Sequence, residues 1–488
     1  MVFDELENAE FTRLVDALLG AEAADFVAAV RAMRATHFRF NRLKLDRAVL
    51  TELLRWEGVD FVPVPTFPGV FRVTEKSPPA GKSLAHFLGG LYIQDPASML
   101  PARILSPRGG ERVLDLCASP GSKTTQLAEI LGNRGCLFAN DVSAKRGRNL
   151  VFNLRRTGVL NTLVTHAFGE SLGNLCFESF DCILLDAPCS ALGTLQKSPE
   201  VLRWWTAKRS HKLAAQQRQL LHGALKALRP GGRVVYSTCT IAPWENEEII
   251  QYALDHFPVE LLPPEPLPLP SRPGLECFAG QRFHPSMTRT RRIYPHEAGT
   301  EGFFLALLRK TDRFGNPARS PGEASEPIQY RTASDETVAP VLEWLSSRFG
   351  FRGDFPGEAW FVAGQDLRIC SAPQPALPGK VRVLAVGLPV AHLRGATPAL
   401  TTEGSHLWGA QATRNVVELV SSEALAAYVN RGDLALPNPG VETGPGTTKG
   451  QVIVRYRGMP LGHGWFDHGK LLSRFPHCAW RFGPAAGT

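Results

Sequence analysis

Four short stretches place reactive or acidic side chains where a strand would end. Asp186-Ala187-Pro188-Cys189-Ser190 and Tyr236-Ser237-Thr238-Cys239-Thr240 each set a cysteine just past an apolar run. A thiolate is a strong nucleophile, although a single buried cysteine is commonly inert. Two of them, with Asp186 beside one, argue for chemistry over packing. The third stretch, CASPGSKT, follows the run ERVLDL and opens a helix. Its small residues Cys117, Ala118, Ser119, Pro120, Gly121 and Ser122 let backbone N–H groups approach a ligand at a helix N-terminus, ahead of Lys123. The turn is neither G-x-G-x-x-G nor a Walker loop, which speaks against a nicotinamide dinucleotide and ATP. The fourth is Asp141, 26 residues after Asp115. A carboxylate there can accept both hydroxyls of a ribose, or it can merely cap the next helix.

The elements that must hold these residues alternate. ERVLDLCA, GCLFAND, TLVTH, FDCILLDAP and GRVVYSTC read as strands, separated by helical segments such as KTTQLAEIL, SAKRGRNLVFNLRRTG and RSHKLAAQQRQLLHGALKAL. This pattern predicts an α/β fold with a mostly parallel sheet over residues 90–310, and ligands at the carboxyl ends of its strands. The first ~35 residues carry apolar positions at helical spacing, predicting two short amphipathic helices. A β-α-β stretch centred on Arg47 to Trp56 follows. Residues 311–337 are polar and rich in Pro, Gly and Ser, and read as a linker. Beyond it, 338–395 looks mixed α/β, and 396–488 looks like short strands around one helix near Ser422, a compact barrel.

The chain has 488 residues, too many for one ordinary domain, and a formal charge of +8. Residues 311–488 hold 17 basic and 15 acidic side chains, so most of the excess lies in the first 310. Nine cysteines without any Cys-x-x-Cys pair support neither a disulfide framework nor a metal site. The acidic, amphipathic start is unlike a signal peptide, and no apolar run reaches membrane-spanning length. A protein of a reducing, cytoplasmic compartment, with no membrane partner, is expected.

Together, DLCASPGSKT (115–124), the acid of FAND (Asp141), DAPCSALGT (186–194) and YSTCTIAPWENE (236–247) resemble the RNA cytosine-5 methyltransferases of the Nop/Sun family, and within it the bacterial enzymes of the RsmF type. RFNRLK (39–44), GLYIQDPASML (90–100) and RIYPHEAGTEGFFLALLRK (292–310) add weaker similarity in the expected order. The resemblance implies a Rossmann-like class I methyltransferase sheet over 90–310, using S-adenosylmethionine. It also implies an N-terminal RNA-binding module over 1–89 and, more weakly, a PUA-like RNA-binding module over 396–488.

Carbon 5 of cytosine is a poor nucleophile, so a thiolate must first add to carbon 6. The resemblance assigns that addition to Cys239 and product release to Cys189. Asp186, with its pKa raised, is expected to donate to the ring nitrogen N3 as charge develops there. S-adenosylmethionine would lie over Cys117 to Lys123, with Asp141 on its ribose and Arg146 and Asp186 nearby, and Lys123 facing both cofactor and catalytic site. Two departures stand out. Phe168 occupies the place of a usual Asp that holds the adenine amine, so adenine is expected to stack on Phe168 or bond to backbone. Ala191 replaces a common Gly, a change expected to matter little.

The implied substrate is small-subunit ribosomal RNA, free or in the 30S subunit, acted on by a monomer. From Glu200 to Arg233 eight basic residues face one acid, with Trp204 and Trp205 among them, and Arg289, Arg291 and Arg292 form a second basic cluster. Arginine interleaved with aromatics is a footprint of backbone contact and base stacking. Transfer RNA as substrate and a non-catalytic ribosome-assembly role are the rivals. A DNA methyltransferase is disfavoured, because there the Pro-Cys thiol attacks and a Glu-Asn-Val element is present, whereas this chain has Cys239 and reads Glu245-Asn246-Glu247.

Overall fold

A run such as Cys182–Leu185 is buried at every position, which suits only a strand covered on both faces. In the computed structural model it forms the centre of a ten-stranded sheet. The structure describes residues 8–32, 35–44, 47–315, 330–351, 359–371, 373, 377, 381–394 and 397–484. Part of the expected linker, 316–329, lies outside them.

The core alternates β1 (Arg112–Asp115), α1 (Ser122–Ile130), β2 (Cys136–Asn140), α2 (Ala144–Thr157), β3 (Thr162–His166), α3 (Gly169–Leu175), β4 (Phe180–Asp186), α4 (Ala207–Ala227), β5 (Leu228–Thr238) and α5 (Glu247–His256). The five strands lie parallel in the order β3-β2-β1-β4-β5. The order reverses direction between β1 and β4, which is where a ligand crevice opens in such sheets. Beyond β5, β6 (Arg291–Ile293) and β7 (Phe303–Lys310) continue the sheet antiparallel. The methyltransferase-type sheet with an N-terminal module is therefore as expected.

The opposite edge was not foreseen. β8 (Arg382–Val386), from beyond the linker, pairs antiparallel with β3, Arg382 opposite His166. Ala359, Phe361, Cys370 and Val386 join the core that contains Leu114, Phe138 and Ile183. The segment beyond the linker thus completes the catalytic sheet and also forms a four-stranded one, whose last strand, Ala399–Leu400, lies past the expected boundary at 395.

Two amphipathic helices open the chain, Ala9–Leu19 and Ala23–Arg31. The Asn8 side chain caps the first and donates to the carbonyls of Leu202 and Trp205 at 3.1 and 3.0 Å. A four-stranded sheet over His37–Ile93, with the helix Arg47–Trp56, forms the next module. Arg39 ties it to α1, donating to Glu129 and to Thr125 Oγ1, both at 2.6 Å. Asn41 does the same to the end of α2, reaching the Thr157 carbonyl at 2.8 Å. These contacts are what RFNRLK contributes. The helix Pro96–Leu105, capped by Asp95, carries Ser98 toward the crevice. The last ~70 residues hold a six-stranded sheet with Ser422–Val429 packed on it.

Candidate active site

β4 and β5 end in register, with Asp186 opposite Ser237. The chain then leaves β4 toward Cys189 and β5 toward Cys239, bringing their Sγ atoms to 3.3 Å. The hydrogen bond with Cys239, and then burial, hold the Cys189 thiol well above its ordinary value. The two thiols share this hydrogen bond, so that if either loses its proton the other's S–H can donate to it.

Both oxygens of Asp186 are engaged. Ser237 Oγ donates to Oδ1 at 2.7 Å and Lys123 Nζ to Oδ2 at 2.6 Å. Lys123 stands in the first turn of α1, is 7% exposed, donates also to Ser98 Oγ at 3.1 Å, and lies 5.5 Å from the centre of the Phe303 ring. Burial opposes its charge, but Asp186, with Cys239 and Asp115 behind it, raises its pKa overall. Two donors thus meet the Asp186 carboxyl group, and Lys123 is held charged against it.

The loop after Cys239 is fixed from beneath. Thr238 Oγ1 donates to Asn246 Oδ1 at 2.6 Å, and Asn246 Nδ2 to the Thr240 carbonyl at 3.0 Å. Glu245, fully buried, accepts from the Ser190 N–H and from Gln217 Nε2, each at 2.9 Å, and from Ser210 Oγ. It therefore couples the two cysteine loops to α4. Glu247 and Arg292, both buried, form an ion pair with Arg292 Nε 2.6 Å from Glu247 Oε1. Gly193 packs so closely that a Cβ there would stand 2.1 Å from the Gly302 carbonyl oxygen. Ala191 sits at φ +60°, the left-handed region, which explains why glycine is usual at this place.

At the cofactor edge, Gly121 has φ +107° and packs against Leu150, the geometry a tight strand-to-helix turn needs. Asp141 is 3% exposed. Its Oδ1 accepts the Ser143 N–H at 2.7 Å and Arg146 at 3.0 Å, while Oδ2 accepts no hydrogen bond among the described residues. The capping role and the ribose role thus divide between two oxygens, and Arg146 is positioned by Asp141. Val142 and Phe168, 41% and 68% exposed, line one cavity of about 750 Å³ with His166 and Arg382. Asp115 Oδ1 and Ser119 Oγ are buried without hydrogen-bond partners. Burial pushes the Asp115 carboxyl up to about 7, although Thr124 Oγ1 donates to it at 2.7 Å. Burial likewise raises the Cys117 thiol. An unfilled carboxylate oxygen on Asp141, two orphaned polar atoms and two exposed apolar side chains suit a nucleoside with a charged amino-acid tail. Asp115, Ser98, Ser237, Glu245 and Val142 had no assigned role in the sequence reading. For Asp115, Ser98, Ser237 and Glu245 the signal was their place inside the quoted motifs, whereas Val142 gave none.

The basic segments divide as well. Arg229 pairs with Asp181, Arg233 with Glu111, and Arg218 with Glu248. Trp205 is core, and only Trp204 is exposed, at 42%. Arg292 is buried in its ion pair and Arg289 donates to the Leu261 carbonyl, so that cluster braces the fold. Lys208 and Lys212, one turn apart on α4 beside Trp204, remain exposed.

A parallel sheet whose strand ends carry a nucleoside crevice beside a paired-cysteine site defines an S-adenosylmethionine-dependent RNA methyltransferase. Residues 102–309 match the family described as 16S rRNA methyltransferase RsmB/F, and residues 8–96 match the N-terminal domain of 16S rRNA methyltransferase RsmF. The chain belongs to the RsmF family of methyltransferases. It is 33% identical over 458 residues to ribosomal RNA small subunit methyltransferase F of Aeromonas salmonicida, covering 93% of this chain and 92% of that one. The Klebsiella pneumoniae protein of the same name is 34% identical, covering 93% and 91%. Among solved structures, a methyltransferase homologue from Pyrococcus horikoshii is 36% identical with a TM-score of 0.56, covering 63% of this chain and 98% of that one. NSun6 from the same organism, solved with the S-adenosylmethionine analogue SFG, is 25% identical with a TM-score of 0.55, covering 63% and 99%.

Proposed function

We propose that the protein methylates carbon 5 of cytosine in small-subunit ribosomal RNA through a covalent bond from Cys239 to carbon 6. The observation that carries this reading is the 3.3 Å approach of Cys189 and Cys239 beside the Lys123–Asp186 pair. S-adenosylmethionine supplies an electrophilic methyl group when bound. Asp141 Oδ2 would hold its ribose, Val142 and Phe168 its adenine, and Asp115 its ammonium end.

Cys239, helped by the Cys189 S–H and the Lys123 charge, attacks carbon 6 as a thiolate. Electron density moves toward the O2/N3 edge of the ring, where the Lys123 ammonium, oriented by Asp186, balances it. Once carbon 5 carries the methyl group, its proton must leave before the Cys239–C6 bond can break. Cys189 is the neighbouring group that assists this release, as the base or as its helper. A flipped-out cytosine is required, because carbon 6 is hidden in a stacked helix.

Cys189→Ala should accumulate a covalent protein–RNA adduct on a denaturing gel, and Cys239→Ala should form none. An adduct with the Cys239→Ala protein would reverse the roles. Methylation assays on 30S subunits, deproteinised 16S rRNA and transfer RNA identify the substrate; the names of the full-length relatives favour the first two. The six-stranded C-terminal sheet supports a PUA-like RNA-binding role, which its deletion should reveal as weaker RNA binding with cofactor affinity retained.

A further inference from the structure

Two helices run from the catalytic pair to a second cavity. Lys123 of α1 and Ser98 of Pro96–Leu105 touch at the catalytic end. Further along, Gln126 and Glu129 of α1, about 4.5 and 9 Å beyond Lys123 on its axis, and Met99 and Arg103 of the other helix, about 1.5 and 7.5 Å beyond Ser98, line a cavity of about 510 Å³. Its far wall belongs to the N-terminal module, including Arg42, Arg47 and Phe67.

The charge in this cavity is unbalanced. Arg39, Arg42, Arg47 and Arg103 line it against one carboxylate, Glu129. Arg39 holds Glu129 at 2.6 Å, and Arg42 stays 3.9 Å away. Among the described residues, Arg47 and Arg103 have no acidic partner and are backed instead by rings. The Arg47 guanidinium lies 4.8 Å from the Phe71 ring centre, and that of Arg103 4.5 Å from Phe67. Burial, then the charge of Arg42, lowers the Arg103 pKa, the effect of positive charge with nothing to neutralise it. Ring-backed guanidiniums are held as flat, charged surfaces suited to a phosphodiester and to a base or ribose laid on them. A bare anion would leave most of this space empty.

We propose that this cavity receives the nucleotide adjoining the target cytosine, with its phosphate held by Arg47 and Arg103. The inference rests on the reading of RNA as substrate, and the position along α1 and Pro96–Leu105 follows from Lys123 lying at the reactive base. RNA backbone is favoured over an acidic protein segment because four arginines line the cavity against one carboxylate and two of them are backed by rings, a surface that takes a phosphate and a flat base together.

The test compares the wild-type protein with the Arg47→Gln/Arg103→Gln and Arg47→Lys/Arg103→Lys pairs. Affinity for a short, labelled, cytosine-containing single-stranded RNA is read across salt concentrations, alongside S-adenosylhomocysteine binding and thermal melting. The glutamine pair should weaken RNA binding about tenfold or more and lower the log–log salt slope by about 0.7, the value for one lost phosphate contact on a single strand, with cofactor binding retained. The lysine pair should recover the slope but only part of the affinity. Unchanged affinity and slope in the glutamine pair would overturn the proposal. If that pair melts early, wild-type protein decides. RNA carrying 4-thiouridine beside the target should crosslink to peptides containing Arg47 or Phe67, and crosslinks confined elsewhere would sink the idea. None of these readouts uses methyl transfer, so the carbon-5 chemistry, read separately by sequencing the product, stands or falls apart from it.

Discussion

Ser237 and Ser98 hold the ends of the Lys123–Asp186 pair, one through each member. A hydrogen bond to a charged group contributes about 1.5–3 kcal/mol. Ser237→Ala should therefore lower kcat/KM by roughly 10- to 100-fold through misplacement of Asp186, while cofactor affinity measured calorimetrically is unchanged. Ala191 offers the opposite case. Its left-handed backbone is strained for any side chain, so Ala191→Gly should raise stability by about 0.5–1 kcal/mol, read as a higher melting temperature with activity retained. At this scale the reactive residues were legible because their motifs sit at strand ends. Cys189 and Cys239 are 50 positions apart, yet parallel strands in register force them together. What meets that carboxyl group was not legible, since Lys123 and Ser237 converge on Asp186 from different elements.

Among the elements, the Glu247–Arg292 pair joins α5 to β6 directly beneath the Cys239 loop. Breaking a buried pair by removing one partner leaves an uncompensated charge and costs about 3–5 kcal/mol. Arg292→Met should thus lower the melting temperature sharply, with activity lost at temperatures where the wild type still works. Glu111, at the entry to β1, predicts the acid behaviour. Burial opposes its charge, but Arg233 at 2.8 and 2.9 Å, the Arg108 N–H and Cys182 bring its pKa down to about 2. The folded value lies below the unfolded one near 4.5, so its stabilisation is present above pH ~4.5 and is lost as pH falls toward 2. Glu111→Gln should flatten that limb of a stability-versus-pH curve measured by denaturant unfolding. Most strands and helices of the core followed from apolar periodicity. Arg292 read as an RNA-facing cation because sequence alone does not show that Glu247 waits 45 residues earlier in the folded core.

Across the whole molecule, the halves on either side of the linker share a sheet. A chain broken at residue 320 should still yield two fragments that co-purify at low concentration, because β8 pairs with β3 and Val386 lies in the catalytic core. Separation of the fragments on a sizing column would contradict this. The pairing was hidden in the sequence because strand order is a long-range property, and RVLAV looks like any other short apolar run.

That edge strand also sets a schedule for the chain's birth. Synthesis proceeds from the N-terminus, and domains generally fold as units while it continues. Here β3 is made early but faces solvent, a template for unwanted strand addition, until residue 386 has emerged some 220 positions later. Completion of the sheet is thus deferred until well after the reactive cysteines have been made, and the growing chain is most exposed to self-association during that interval.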